Sequence, residues 1–472
     1  MAGFGTRMTM SLKSMNEEAQ ALRSQGKHDE AIELFMKAAA AYPTSAVAEH
    51  NLAAALGDFG RADEAETHIR RAFAKGLKAP ESWLVLARAL LAQGRLDEAR
   101  EAFEKTIELS PLMLVALYEY AQLIWMTTGD SAAAIAPLNE MIKSYPDTVD
   151  MYSTKARVMM YTSGAEATYR FVTAALERWP DDVKLLILGI DSGTLVGEAA
   201  TALEMSDRLV TLQPASRAVQ EMRAQALLAS GRAEEAVPIA EKLTEADPND
   251  QHALALLATV CRLVGDSRYQ GLYDYDAFVR AYKLTPPDGW ASLDEYLSDL
   301  GAALRARHPF KTHPFSNSEE HGSKISDLLE MDDPAIKAIP KALAPAVNAH
   351  LVHLGTGTDP LRSRNTGRWK IDGIWSVWLK PNGFHHDHVH PTAWLSSACY
   401  IELPDEIDAG GQEGWIKFGE PGTVTSPKLA PEHAVKPEPG MLVLFPSYMW
   451  HGTIPFGGDK SRLSIALDIV PD

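Results

Sequence analysis

Apolar and polar positions follow a helical rhythm through the first 265 residues, and the rhythm restarts at regular intervals. Gln93-Gly94-Arg95-Leu96-Asp97-Glu98-Ala99 marks a turn into a helix, and Glu101-Ala102-Phe103-Glu104-Lys105-Thr106-Ile107 continues it as an amphipathic segment. Beyond Gly265 the restarts cease. From Tyr269 to Arg307 the apolar residues Phe278, Tyr282, Leu293, Tyr296, Leu297, Leu300 and Leu304 keep helical spacing, interrupted by Pro286-Pro287-Asp288-Gly289. This stretch predicts a helical joint packed against the last repeat. From His308 onward the texture turns β-like. Ile374–Leu379, Ser397–Leu403, Met441–Phe445 and Leu463–Ile469 are predicted strands separated by Gly and Pro, with one helix over 334–354 before them. A small antiparallel double-sheet jelly roll fits that order.

The interval itself is informative. Glycines recur at Gly26, Gly60, Gly94, Gly129, Gly164, Gly197, Gly231 and Gly265, and prolines at Pro43, Pro80, Pro111, Pro146, Pro180, Pro214 and Pro248. A period near 34 residues carrying two helices per unit marks a tetratricopeptide array of about seven units. Ala31, Ala65 and Ala99 stand 34 apart, where adjacent helices must approach closely. The turns around Gly164 and Gly197 have the weakest sequences. Such a superhelix offers a concave face to a protein or peptide partner, or serves as a packing or dimerisation platform.

Bulk composition narrows the function. At 472 residues more than one domain is expected. A net charge of −18 argues against nucleic acid or an anionic membrane as partner, since both need a basic surface. Cys261 and Cys399 lie in apolar stretches and predict buried free thiols, as suits a cytoplasmic protein. The N-terminal residues have no continuous apolar core of the signal-peptide kind, and no window approaches a membrane span.

The chemistry is concentrated near the C-terminus. Phe384-His385-His386-Asp387-His388-Val389-His390-Pro391 is followed about sixty residues later by Trp450-His451-Gly452, and then by Arg462-Leu463-Ser464. On a strand, His386, His388 and His390 would share a face opposite His385 and Asp387. Two imidazoles at i and i+2 reach one ion, and His451 supplies a third corner from a distant strand. Arg462, Ser464 and Ala466 face away from Leu463, Ile465 and Leu467. An inward guanidinium suits bidentate binding of a carboxylate, with the Ser464 hydroxyl as an added donor, so Arg462 is expected to hold the far end of a dicarboxylic cosubstrate. Tyr400 offers a further hydrogen bond or is a core tyrosine. The Gly- and acid-rich loop from Asp405 to Gly414 borders the site mouth or is an exposed connector.

The segments Gly383 to Pro391 and Trp394-Leu395-Ser396-Ser397-Ala398-Cys399-Tyr400 resemble the first metal motif of a bacterial group of 2-oxoglutarate/Fe(II)-dependent oxygenases, which reads H-x-H-P. Pro439 to Ser447, Trp450-His451-Gly452 and Arg462-Leu463-Ser464-Ile465 resemble its second, and His313 to Ser318 resemble the start of that domain. The resemblance covers about residues 308–472. It implies Fe(2+) bound to protein, 2-oxoglutarate as a cosubstrate converted to succinate and CO2, and hydroxylation of a substrate C–H bond. In most such enzymes two His and one carboxylate hold the iron, and here His390 stands at the carboxylate position. Either His388, His390 and His451 form a three-histidine site, or His385-His386-Asp387 supplies a literal H-x-D.

The expected architecture is therefore α+β and multidomain: a tetratricopeptide superhelix over 1–268, a helical linker over 269–307, and a double-stranded β-helix over 308–472. The expected activity is a 2-oxoglutarate-dependent dioxygenase acting on a substrate recruited by the repeats. The competing readings are a non-catalytic scaffold with a degenerate metal-binding jelly roll, and a three-histidine metal enzyme that ignores 2-oxoglutarate.

Overall fold

The helical period folds as antiparallel helix pairs. The computed structural model describes residues 10–315, 318–408 and 410–472. The first pair is Leu12–Ser24 with His28–Ala41, the third is Pro80–Ala92 with Leu96–Leu109, and the seventh is Arg217–Ala229 with Ala233–Ala246. A further helix, Gln251–Val264, follows without a partner of its own kind. Ala31, Ala65 and Ala99 are fully buried, as close helix approach requires. The two turns with the weakest sequences take the same left-handed backbone as the rest, with φ of +80° at Gly164 and +88° at Gly197, a region that a Cβ disfavours. The chain divides into two compact units, one of residues 1–123 with 136–146, the other of residues 124–135 with 147–472.

The second unit contains two antiparallel sheets. Their strands in chain order are β1 (Arg280–Lys283), β2 (Glu319–Ser326), β3 (Trp369–His385), β4 (Leu395–Glu402), β5 (Ile416–Phe418), β6 (His433–Val435), β7 (Met441–Pro446), β8 (His451–Thr453) and β9 (Arg462–Pro471). One sheet runs β1-β7-β4-β9-β3-β2 and the other β6-β5-β8. This is the expected jelly-roll arrangement. Alternation on β9 sends Leu463, Ile465, Leu467 and Ile469 into the core, where none is more than 1% exposed. The predicted helix over 334–354 forms as Pro334–Lys337 and Ile339–Leu354, interrupted just before Pro340.

The predicted helical joint is corrected in part. Tyr282 is not helical: it lies in β1, paired with Leu442 on β7. The otherwise open edge of β7 is satisfied this way, and the tertiary hydrogen bonds outweigh the local helical spacing. Helix does return at Leu293–Arg305, where the Ser292 hydroxyl accepts the Glu295 N–H at 3.2 Å as an N-cap. That helix buries Tyr296, Leu297, Leu300 and Leu304.

Cys261 and Cys399 are buried and unpaired. Among the described residues no helix is long and apolar enough to cross a membrane. Ser316 and Asn317, part of the segment resembling the start of the domain, lie outside the described residues.

Candidate metal centre

The remote histidine reaches the closely spaced pair through backbone pairing. The His388 N–H donates to the His451 carbonyl at 2.9 Å, and the His451 N–H donates back to the His388 carbonyl at 3.1 Å. The His390 N–H is anchored on the Ser447 carbonyl at 3.0 Å. These bonds place one ring from each of three chain positions around a common point. Ring centroids are 4.3 Å apart for His388 and His451 and 5.1 Å for each of the other two pairs. One nitrogen from each ring lies within 4.8 Å of the others.

Each ring is oriented by its far side. Nδ1 of His388 donates to the His386 carbonyl at 2.7 Å, and Nδ1 of His451 donates to the Met449 carbonyl at 2.9 Å. Nδ1 of His390 donates to Asp468 Oδ1 at 2.6 Å. Carbonyl and carboxylate oxygens only accept, so the proton sits on Nδ1 and each Nε2 presents a lone pair inward. Nε2 of His388 and Nε2 of His390 are 3.1 Å apart. Two nitrogens about 2.1 Å from one first-row ion and at right angles to each other would be ~3 Å apart, so the spacing suits adjacent ligand positions. Burial, reinforced by the neighbouring imidazoles, pushes His388 down to about 3 and holds His451 well below the usual imidazole range. Both are therefore neutral at pH 7, the form that binds a cation. The chemistry of the donor set fits a divalent first-row metal.

The alternation expected for His386 to His390 does not hold, because β3 ends at His385. His386 is exposed, with Nε2 3.1 Å from Glu320 Oε1. His385 turns its Nδ1 to the Ser318 hydroxyl at 3.1 Å. Asp387 is outside the three-residue group: its Oδ2 accepts from Lys417 Nζ at 2.7 Å, and Lys417 also bonds Glu420. The literal H-x-D set is thus not brought together.

Arg462 and Ser464 open onto the same cavity as the three histidines, a space of about 290 Å³. Arg462 is 2% exposed and has no carboxylate partner among the described residues. One of its terminal nitrogens donates to the Gly414 carbonyl at 3.0 Å, its guanidinium carbon lies 4.9 Å from the centre of the Tyr400 ring, and its Nε has no hydrogen-bond partner. The Tyr400 hydroxyl is also buried without a partner. A buried cation with an idle donor facing a cavity has the chemistry to receive an anion, whereas Tyr400 packs its ring on the guanidinium and does not line that cavity. Gly414 brings one end of the 405–414 loop to this point.

Asp468, Glu319, Lys324 and Trp375 also line the cavity, and none was singled out from the sequence. Asp468 was within reach of strand alternation, since it follows Arg462, Ser464 and Ala466 on one face. Its Oδ1 accepts from Ser396 Oγ at 3.0 Å as well as from His390. Asp468→Asn is expected to weaken divalent-cation binding about 10–100-fold, the range for groups that orient a metal-binding imidazole, as measured by anaerobic calorimetric titration.

Comparison with known families agrees with this geometry. Residues 373–468 match the model described as "Putative 2OG-Fe(II) oxygenase". Tetratricopeptide-repeat models match residues 12–45, 50–113, 97–148 and 196–261. No curated protein matches the chain. Among solved structures, a tetratricopeptide repeat protein from Parabacteroides merdae is 17% identical, covering 54% of this chain and 98% of its own, with a TM-score of 0.38. Yeast Tom70 is 15% identical over 58% of this chain and 62% of its own, with a TM-score of 0.44. The first repeat domain of Spaghetti, bound to an HSP90 peptide, is 27% identical over 24% of this chain and 89% of its own, with a TM-score of 0.23. The chain thus joins N-terminal tetratricopeptide repeats to a C-terminal domain of the 2OG-Fe(II) oxygenase family.

Proposed function

We propose that the protein is a 2-oxoglutarate- and Fe(II)-dependent dioxygenase that hydroxylates a substrate recruited by its repeats. The observation that carries the reading is the pairing, in one cavity, of three inward Nε2 atoms with a buried guanidinium that has no carboxylate partner among the described residues. His388, His390 and His451 would hold the iron, and Arg462 and Ser464 would hold the cosubstrate, with the Tyr400 ring packed on the guanidinium. Iron, when bound, supplies the redox chemistry that couples decarboxylation of 2-oxoglutarate to oxidation of a C–H bond. The chain's own residues bind and orient. Arg462 grips the distal carboxylate, and Asp468 holds the His390 ring. The walls around Arg462 exclude water, which strengthens its attraction for an anion.

We assign residues 1–268 to partner recognition, 269–307 to the joint and 308–472 to catalysis, and place the protein in the cytoplasm with a protein or peptide partner on the concave repeat face. Bonds within the second compact unit support close coupling of the late repeats to the site. Trp450 Nε1 donates to Thr259 Oγ1 at 2.9 Å, and a terminal nitrogen of Arg262 donates to the Gly419 carbonyl at 2.7 Å.

The test is turnover of 2-oxoglutarate by the full chain loaded anaerobically with Fe(II) and then given oxygen. Equal amounts of succinate and CO2 are expected. Truncating one side of a buried charged pair costs about 2–5 kcal/mol, so Arg462→Ala is expected to raise the dissociation constant for 2-oxoglutarate ~30-fold or more. Oxygen uptake indifferent to 2-oxoglutarate, or metal binding without any turnover, would sink the proposal.

A further inference from the structure

A site built from three imidazoles gives a divalent ion no anionic side-chain ligand, yet the cavity holds a carboxylate that the chemistry above does not use. Glu319, on the edge strand β2, is 2% exposed and lines the cavity. Its Oε2 has no hydrogen-bond partner, and its Oε1 lies 3.8 Å from Lys324 Nζ. Lys324 in turn sits 4.6 Å over the Trp375 ring, which stacks on His390 at 5.5 Å. Glu319 pairs across the sheet with His385, and the hydroxyl of its neighbour Ser318 is 3.4 Å from His388 Nε2. The carboxylate is therefore beside the histidine group without belonging to it.

A buried carboxylate with an idle oxygen is costly unless a cation compensates it. Burial holds the Glu319 carboxyl above the usual carboxylate range despite Lys324. Asp468, the other acid lining the cavity, is engaged by His390 and Ser396 and acts through the ring.

We propose that Glu319 is the counter-charge of the ion held by His388, His390 and His451, supplying through space the negative charge that no side chain of that group brings. The inference rests on the three-histidine reading of the site. Lys324 opposes it from the same wall, so the pair sets the cavity's balance between attraction for a cation and attraction for an anionic cosubstrate.

That balance makes opposite-signed predictions, which a packing role does not. The full chain is freed of metal and titrated with Co(II) without oxygen, and then with 2-oxoglutarate at saturating Co(II). Glu319→Gln keeps the shape and removes the charge. It is expected to weaken Co(II) binding about tenfold, the low end for groups just outside a ligand set. The same variant is expected to tighten 2-oxoglutarate about threefold, because one like charge has left the anion's surroundings. Lys324→Met should give the mirror image, with tighter Co(II) and weaker 2-oxoglutarate. Loss of both ligands in both variants, or Co(II) affinity unchanged in Glu319→Gln, overturns the assignment while leaving the three-histidine site standing. Wild-type protein that takes up no Co(II) overturns the site itself and this inference with it.

Discussion

Replacing His451 with alanine will abolish stoichiometric Fe(II) or Co(II) binding and, with it, 2-oxoglutarate turnover. Among the described residues three imidazoles converge on the point, so removing one leaves two protein ligands where first-row ions in proteins keep three or four. The loss should exceed the ~100-fold that marks the upper range for changes one shell further out. His388→Ala and His390→Ala should behave alike. His386→Ala supplies the contrast. Its ring is exposed and turned to Glu320, so metal affinity should stay near the wild-type value. Asp387→Asn discriminates the two ligand sets: under the three-histidine arrangement it disturbs the Lys417 pair and leaves cation stoichiometry at one. The check is metal content after gel filtration together with anaerobic titration. Retained full occupancy in His451→Ala, or loss of metal in His386→Ala, would overturn the assignment of ligands.

The contrast between His386 and His388 also marks where the sequence stops being sufficient. Period-two alternation placed Arg462, Ser464 and Ala466 on one face, and it holds because β9 is a continuous strand flanked by β3 and β4. The same rule misplaced His386, because the strand ends one residue earlier and the chain bends to exchange backbone bonds with His451. That exchange is non-local, and spacing along the chain carries no trace of it. Asp468 was legible two residues past Ala466 and needed only the alternation extended. Glu319 was not. The segment Glu319-Glu320-His321-Gly322-Ser323-Lys324-Ile325-Ser326 is mostly polar, as an edge strand tends to be, and lacks the β-branched run that announces a strand. The repeats were the most legible part because a period near 34 restates its evidence in every unit, and weak turns at Gly164 and Gly197 were outvoted by their neighbours. Tyr282 went the other way: its helical spacing was real but local, and an open sheet edge decided its conformation.

Trp450→Ala is the second large expected effect, and it tests whether repeat and barrel act as one structure. Trp450 is 7% exposed, immediately before His451. Its indole Nε1 donates to Thr259 Oγ1 on the last repeat helix at 2.9 Å, and its backbone N–H donates to the Tyr273 hydroxyl at 2.9 Å. The Tyr273 hydroxyl donates onward to the Tyr448 carbonyl at 3.1 Å. Removing the indole leaves a cavity and takes one bond from the Thr259 hydroxyl, which keeps its own donation to the Ala255 carbonyl at 2.8 Å, so a loss of about 3–5 kcal/mol is expected in the urea transition of the second compact unit. Tyr273→Phe keeps the packing and removes only the hydroxyl, leaving the Trp450 N–H unpaired for a loss of about 1–3 kcal/mol. A loss below ~1 kcal/mol in Trp450→Ala would mean that the helix Gln251–Val264 and strand β8 do not stabilise one another. Because His451 is the next residue, Trp450→Ala should also weaken Co(II) binding, whereas an equally destabilising change confined to the helix pairs of residues 1–123 should not. Coupling of that kind would make the repeats a structural determinant of the metal site, in addition to a surface for partners.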